Sequence, residues 1–96
     1  MRLVVRPAAA NDLASAYRWY EQRQTGLGED LLQAAQALMD QILLLPRAYP
    51  VVHRDTRRAL IQRFPYGIFY RLDGDAVIVV AVYHLRRNPR LWQQRR

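Results

Sequence analysis

The residues of this sequence that could act on an anionic substrate are arginines and one histidine in the C-terminal half. Enzymes that cleave RNA through its 2′-hydroxyl can stabilise the pentavalent phosphate with guanidinium groups and move protons with a histidine, lysine or tyrosine. Arginine on a strand has a second interpretation, in which it only covers the exposed side of a sheet. The candidates lie on the predicted strands or just after the last one: Arg58, Arg63, Arg71, His84, Arg86 and Arg87.

Other kinds of site find little support in the composition. The chain has no cysteine, which excludes disulfides and thiolate metal sites. Its two histidines, His53 and His84, have no carboxylate at metal-ligand spacing, so no metal site is expected. Ser15 is the only serine and lies on the polar side of a predicted helix, and the four glycines are not spaced as a phosphate-binding loop. No cofactor is therefore expected.

The charge of the chain is unevenly distributed. The formal net charge is +7, and all 15 basic residues are arginine. Residues 1–48 carry five arginines against five acidic residues, whereas residues 49–96 carry ten arginines against three. Arginine forms bidentate hydrogen bonds with phosphates and carboxylates. An arginine-rich C-terminal face is therefore expected to prefer an anionic partner, either nucleic acid or an acidic protein segment.

The N-terminal half predicts one strand followed by two helices. The run Arg2–Arg6 is short and rich in β-branched residues, and Pro7 closes it. Two apolar stripes at steps of three and four residues then predict an antiparallel helical hairpin joined by the QTGLG turn. The first stripe is Ala10, Leu13, Tyr17 and Tyr20. The second belongs to a helix from about Glu29 to Pro46 and comprises Leu31, Ala35, Leu38, Ile42 and Leu45, widened by Leu32, Met39 and Leu43. A stripe this wide must be covered on more than one side.

The C-terminal half predicts an antiparallel meander. Residues 58–64 have a period of two, which suits a half-buried strand: Arg58, Leu60, Gln62 and Phe64 alternate with Ala59, Ile61 and Arg63. IFYRL is a second strand, and DGD is a tight-turn signal that leads into AVIVVAVYH. This last run is apolar on both faces, as in a central strand. Asn88 and Pro89 are suited to begin a short final helix, as N-cap and first helical residue. The predicted fold is one α+β domain over residues 1–96, in which the helical hairpin packs on a small antiparallel sheet in the order β-α-α-β-β-β, with an optional C-terminal helix.

No membrane association is expected. The longest apolar stretch, Ala76–Tyr83, is far shorter than the roughly 20 residues that span a bilayer. Pro7 and Asn11 interrupt the N-terminal region before it could form the apolar core of a signal peptide. We therefore expect a cytoplasmic location.

The order of elements and two segments of the chain resemble a known group of proteins. YRWYEQRQTGLGEDLL and, more specifically, RFPYGIFYRLDGDAVIVVAVYHLRRNPRLW resemble the RelE/ParE superfamily of bacterial type II toxins over nearly the whole chain. The resemblance implies a small toxin encoded beside an antitoxin. It also implies that the C-terminal segment of this antitoxin wraps the toxin and neutralises it in a heteromeric complex.

Two activities are known in this superfamily, and the resemblance distinguishes them by a few positions. RelE-like members cleave messenger RNA in the ribosome with basic residues and a C-terminal tyrosine, whereas ParE-like members lack this set and poison DNA gyrase. Arg58 and Arg86 stand where RelE-like catalytic residues are expected. Gly67 stands in place of an arginine and Trp92 in place of the tyrosine, although Tyr66, Arg71 or His84 could substitute. The resemblance therefore favours a ParE-like gyrase inhibitor that is not an enzyme, over an RNA-cleaving toxin or a non-toxic domain that only binds the antitoxin.

Two sets of residues follow as candidates for binding. The target-binding or anion-binding set is Arg63, Arg71, Arg86, Arg87, Arg90 and Trp92, and for a nuclease the catalytic set would be Arg58, His84 and Arg86. The antitoxin-binding set is Leu32, Met39, Leu43 and Trp19, of which Trp19 lies off its helix stripe. The antitoxin is expected to provide an amphipathic helix and an extended acidic segment that adds a strand to a sheet edge. Trp92 has an alternative role as a hydrophobic lid over the core, and His84 as a strand-end residue bonded to backbone.

Overall fold

The computed structural model describes residues 1–96 as one sheet with helices on both faces. Its elements, in chain order, are β1 (Arg2–Val5), α1 (Pro7–Arg23), α2 (Leu27–Leu44), β2 (Val51–His53), β3 (Thr56–Leu60), β4 (Tyr66–Asp73), β5 (Ala76–His84) and α3 (Arg90–Gln93). The five strands lie in the order β1-β5-β4-β3-β2. β1 pairs with β5 in parallel, and the other neighbours are antiparallel.

The helical hairpin depends on a close approach between its two helices. Gly28 lies against α1, and a Cβ atom at this position would be 2.8 Å from both the Cδ2 atom and the carbonyl oxygen of Tyr17. The Glu21 carboxylate accepts hydrogen bonds from the backbone N–H groups of Gly26, at 2.9 Å, and Gly28, at 3.0 Å. Because the first backbone N–H groups of a helix have no partner within the helix, Glu21 caps α2 and fixes the turn.

One face of the sheet packs against α1 and α2 and forms the main core. This core is continuous from α2 through β4 to β5 and contains fully buried side chains from each: Leu31, Ile42, Ile68, Tyr70, Val77 and Val79. The Tyr70 hydroxyl donates a 2.6 Å hydrogen bond to the Pro46 carbonyl oxygen and so ties the end of the hairpin to the sheet. Burial raises the pKa of Tyr70 to about 12.

The other face of the sheet has a smaller cluster that is covered by α3. Trp92 stacks on Phe69, with ring centroids 4.1 Å apart and an interplanar angle of 30°. The other buried residues of the cluster come from β5: Ala76, Ile78, Val80, Ala81 and Tyr83. This explains why β5 is apolar on both faces, as the sequence predicts: its residues alternate between the two clusters, except at the register shift, where Val80 and Ala81 belong to the same one.

The predicted fold class is confirmed, and four details differ. β2, which has only three residues, is too short to show periodicity and is absent from the prediction. β3 ends at Leu60 rather than continuing to Phe64, because the chain turns at Arg63 (φ 74°). β1 makes the sheet mixed rather than antiparallel. α3 begins at Arg90, one residue later than predicted, with the Asn88 Oδ1 atom accepting a 3.0 Å hydrogen bond from the Arg90 N–H.

No helix of this fold combines the length and the apolar character that crossing a membrane requires.

Candidate target-binding face and adjoining groove

The sheet face that carries α3 is surrounded by arginines, and we call it the α3 face. It has two adjoining pockets that share Gln93. The first, of about 230 Å³, is lined by Arg58, His84 and Arg87 together with Phe69 and Trp92. The second, of about 430 Å³, is lined entirely by polar and charged residues: His53, Arg54, Arg90, Gln93, Gln94 and Arg96. Of the arginines on these pockets, only Arg96 forms an ion pair, with both Asp55 oxygens at 2.6 and 3.0 Å.

Arg58 is held at the base of the first pocket by the register of the sheet. It lies opposite Phe69 on β4, and its Cγ atom is 3.2 Å from where a Cβ atom on Gly67 would be. Its Nε atom is buried and has no hydrogen-bond partner. An unpaired buried donor is costly, so the position of Arg58 is held at some expense to the stability of the fold. Because Gly67 has no side chain, the position beside Arg58 adds no further guanidinium to the pocket.

His84 is oriented by backbone and aromatic contacts at the end of β5. Its Nδ1 atom accepts a 3.0 Å hydrogen bond from the Arg86 N–H. A neutral His84 therefore carries its proton on Nε2. The ring meets Tyr66 edge to face, with centroids 5.2 Å apart. The backbone-bonded role that the sequence left open for His84 is thus observed, and its Nε2 atom stays available as a donor.

Trp92 occupies the position of a lid. It is 5% exposed and lies between Phe69 and His53, whose ring meets it edge to face at 5.9 Å. Trp92 thus has the alternative role that the sequence left open, as a hydrophobic lid over the core. In this arrangement its ring faces are not available to a partner. The indole has no hydroxyl and cannot serve as a general acid or base.

The six residues of the predicted target-binding set do not share one surface. Arg87 and Arg90 lie on the α3 face. Arg63 lies on the helix side, 3.7 Å from the Asp30 carboxylate, because its positive φ turns it away from β3. Arg71 is nearly buried, and its guanidinium contacts Asp73 at 3.6 Å and the Arg96 carbonyl oxygen at 3.0 Å. Arg63 and Arg71 are thus engaged within the fold, and the role of the set in binding stays a prediction.

The predicted antitoxin-binding residues are also dispersed. Trp19 is 48% exposed, and the Arg23 guanidinium covers its ring at 3.9 Å. Leu32 and Leu43 are partly buried on α2. Met39 is 5% exposed and belongs to the main core, so it cannot be a contact surface in this structure. The broad stripe on α2 that suggested Met39 is wide because the helix packs on both α1 and the sheet.

A second concave surface, which we call the α1 groove, runs between α1 and the end of β5. It has a volume of about 530 Å³ and is lined by Asp12, Ser15, Ala16, Trp19, Tyr20, Tyr66, Val82, His84, Arg86 and Arg87. The sequence does not predict it, because it brings together a helix and a strand end about 65 residues apart. Trp19 is its one sequence signal, as a large aromatic residue outside the apolar stripe. Arg86, predicted for the target-binding set, lines this groove and neither pocket of the α3 face.

The α3 face is thus a basic surface over a small apolar cluster. Arginines converge with a single histidine, no hydroxyl group replaces Trp92, and the fold has no cluster of three metal-ligating side chains. The family model described as the ParE toxin of the type II toxin–antitoxin system parDE matches residues 3–89. The chain belongs to the ParE toxin family. The resemblance to a type II toxin is therefore confirmed.

A solved structure supports the same fold. The chromosomal ParDE TA system from P. aeruginosa includes a chain that is similar to this one with a TM-score of 0.67 and 22% sequence identity. The similarity covers 88% of this chain and 95% of the other. At this identity it supports the fold alone. A search of curated protein sequences finds no match.

Proposed function

We propose that this protein is a ParE-like toxin that inhibits DNA gyrase by binding it through the α3 face, and that a cognate antitoxin neutralises it in a heteromeric complex. The observation that carries the proposal is the charge of that face. Arg54, Arg58, Arg87 and Arg90 lie around its two pockets, and none of them is within ion-pair distance of a carboxylate. Membership of the ParE toxin family supports the toxin role.

Binding is favoured over RNA cleavage by the groups that the α3 face lacks. Gly67 supplies no side chain next to Arg58, and Trp92 supplies no proton donor. A general acid or base typically contributes about 100-fold or more to a rate, and one electrostatic donor contributes about as much. A face that lacks both the group at position 67 and the one at position 92 is better suited to hold an anionic surface than to break a phosphodiester bond.

A second candidate function rests on one specific observation. His84, with its Nε2 atom available, lines the same pocket as Arg58 and Arg87. A phosphate placed there could meet a proton donor and two guanidinium groups, as an RNA-cleaving toxin would require. A domain that binds only its antitoxin is the remaining alternative, and it would give no growth arrest at all.

The experiment that separates these functions is controlled expression in bacteria with two readouts, the DNA-damage response and cleavage of ribosome-bound messenger RNA. The proposal predicts growth arrest with trapped, cleaved gyrase–DNA complexes and intact message. Truncation after Asn88 removes α3 and Arg90, and it is expected to abolish the effect. Cleaved message without a DNA-damage response would contradict the proposal in favour of the nuclease, particularly if His84→Ala restored growth.

The antitoxin is tested by co-expression with the product of the adjacent reading frame. We expect this product to restore growth and to co-purify with the protein. Charge complementarity between an acidic antitoxin segment and the arginine-rich surface should make the association rate fall steeply as salt is added. A protein that is purified alone, monomeric and harmless would contradict both toxin functions.

A further inference from the structure

The helix that covers the α3 face is too short to hold its own position. α3 has four residues, and Trp92 is its only buried side chain, whereas its neighbour Leu91 is 54% exposed. Helices shorter than about 12–15 residues are marginal in water without tertiary contacts. The place of Arg90 on the α3 face therefore depends on contacts that lie outside the helix.

Two consecutive arginines after α3 fasten the chain to two separate parts of the fold. Arg95 pairs with Asp12, which belongs to α1, at 2.6 Å. Arg96 pairs with both oxygens of Asp55, in the turn between β2 and β3, at 2.6 and 3.0 Å. Because β4 and β3 lie between β5 and β2 in the sheet, the segment after α3 is held at more than one strand.

The first of these ion pairs is built around an irregularity in β5. β1 pairs with β5 only as far as Val79, and Val80 is an extra residue in the pairing of β5 with β4. The Arg95 guanidinium donates to the Val80 carbonyl oxygen at 3.1 Å, and Asp12 accepts a 3.0 Å hydrogen bond from the Val82 N–H. One ion pair thus holds two backbone groups of β5, at a point where β1 no longer covers the strand.

The Asp12–Arg95 pair connects the two faces of the sheet. Asp12 lies on the helix side, whereas the Arg95 guanidinium carbon is 5.3 Å from the centre of the Tyr83 ring, in the cluster that α3 covers. The side chains of the pair are 25% and 13% exposed, so water and salt screen them less than a surface pair. The Asp55–Arg96 pair is about half exposed on both sides and is therefore expected to be the weaker one.

Arg71 fixes the backbone of the same segment. Its Nε and Nη2 atoms donate to the Arg96 carbonyl oxygen at 3.1 and 3.0 Å. The Arg96 guanidinium in turn holds the pKa of Asp55 below its ordinary value, chiefly through the side-chain hydrogen bond. We call these three sets of contacts the α3 clasp: Arg95 with Asp12, Arg96 with Asp55, and Arg71 with the Arg96 carbonyl group.

We propose that Asp12 and Asp55 are positioning residues of the α3 face. Through the α3 clasp they hold α3 against the sheet and so keep Arg90 in the arrangement that binds the target. The inference rests on the proposed function, because it assumes that the α3 face contacts gyrase. It adds that two acidic residues, one on α1 and one in the β2–β3 turn, control this arginine-rich surface without contacting the target.

Amide hydrogen exchange measures this positioning without gyrase. Asp12→Asn and Asp55→Asn each remove one charge of the α3 clasp, and Asp75→Asn makes the same change in an exposed pair outside it. The reporters are the Trp92 and Gln93 amides, which donate to the Pro89 carbonyl oxygen. We expect their exchange rate to rise about tenfold or more in Asp12→Asn, about threefold in Asp55→Asn and not at all in Asp75→Asn. Exchange in α2 should stay unchanged in all three.

A charge exchange within the exposed pair separates pairing from the loss of a side chain. Asp55→Arg brings two guanidinium groups together, Arg96→Asp brings two carboxylates together, and the double variant restores an ion pair of reversed polarity. We expect each single variant to raise the exchange rate in α3 by about fivefold and the double variant to return it to within about twofold of the unmodified protein. Both residues are exposed, so this series also decides the question if Asp12→Asn does not fold.

The same variants are then assayed with purified gyrase and plasmid DNA for trapping of cleaved complexes. The loss of trapping should follow the exchange rate in α3: it should be largest for Asp12→Asn, smaller for Asp55→Asn and absent for Asp75→Asn. Each of these three changes removes a negative charge, so general attraction to an anionic target would increase trapping instead. The double variant of Asp55 and Arg96 should recover the activity that its single variants lose.

The outcomes separate this inference from the proposed function. If the unmodified protein does not act on gyrase, the proposed function is wrong, and the exchange rates alone still show whether the α3 clasp holds α3. Unchanged exchange in α3 for both Asp12→Asn and Asp55→Asn would overturn the inference and leave the proposed function in place. Faster exchange in α3 with undiminished trapping would overturn it as well, because target binding would then not depend on the position of α3. An equal rise in α2 would show that Asp12 supports the whole fold, which contradicts a positioning role.

Discussion

The two faces of the sheet are built in different ways, and the difference separates stability from binding. The face towards α1 and α2 is covered by two long helices and has a continuous apolar core without a charged residue in it. The α3 face is covered by a four-residue helix with one tryptophan, and arginines surround it. A small domain needs one well-packed face to remain folded. The second face can then carry unpaired charges that contribute little to folding and are available to a partner.

The largest expected effect is the loss of stability from a truncation on the helix face. Ile42 belongs to α2 and is fully buried in the main core. Ile42→Ala should lower the free energy of unfolding by about 3–4 kcal/mol, because it removes buried methylene groups and leaves a cavity. Urea denaturation measures this, with Ile42→Val as the matched variant at about 1 kcal/mol. A loss below about 1 kcal/mol for the alanine variant would show that this face is not the main source of stability.

A smaller loss of stability is expected from the corresponding truncation on the α3 face. Trp92 buries its ring on Phe69, but it belongs to a helix of one turn that can detach without exposing the main core. Trp92→Ala should therefore cost about 2 kcal/mol, below the roughly 3–5 kcal/mol typical of a large buried aromatic residue. Trp92→Phe retains an aromatic contact and should cost less. If Trp92→Ala unfolded the protein as completely as Ile42→Ala, the two faces would be one cooperative core.

The smallest expected effect on stability occurs at alkaline pH and concerns Tyr70, whose hydrogen bond to Pro46 connects the hairpin to the sheet. Burial raises the pKa of Tyr70 to about 12, from an ordinary value near 10. The folded state thus keeps this proton in a range where the unfolded chain has lost it. The protonated Tyr70 hydroxyl therefore contributes to the free energy of unfolding. This contribution is complete below about pH 10 and is lost as the pH rises towards 12, by up to about 1.4 kcal/mol per pH unit.

Denaturation at several pH values between 9 and 12 measures this slope. Burial also raises the pKa values of Tyr20 and Tyr66, so these residues contribute to the slope in the same direction. Tyr70→Phe should reduce it and should also cost about 1 kcal/mol at neutral pH through the lost hydrogen bond to Pro46. A slope that is unchanged in Tyr70→Phe would show that Tyr70 is not the group responsible.

The parts of this structure that could be predicted from the sequence are those governed by local periodicity. The hairpin follows from apolar stripes that repeat every 3.6 residues, and the last strand follows from a continuous apolar run bounded by a turn signal. The parallel pairing of β1 could not be predicted, because it joins the first strand to the last and depends on contacts far apart in sequence. β2 is too short for any periodic signal.

The candidate site was predictable to a similar extent. Arg58 and His84 were predicted to lie on one antiparallel meander where they could converge on one face, and the structure brings them to one pocket with Arg87. Arg63 was predicted for the target-binding set, but its left-handed backbone conformation leaves its side chain on the helix side, next to Asp30. The α1 groove depends on β1 ending before β5 does, which no local pattern in the sequence encodes.

The measurement that tests the central claim most directly is gyrase inhibition by two charge-matched double variants. Arg54→Gln with Arg90→Gln removes two exposed charges from the α3 face, and Arg6→Gln with Arg47→Gln removes two exposed charges elsewhere. With purified gyrase and plasmid DNA, the account predicts that the first pair loses most of the trapping of cleaved complexes and that the second pair behaves as the unmodified protein. Equal activity of the two pairs, or no effect of the unmodified protein on gyrase, would contradict the assignment of the α3 face as the target-binding surface.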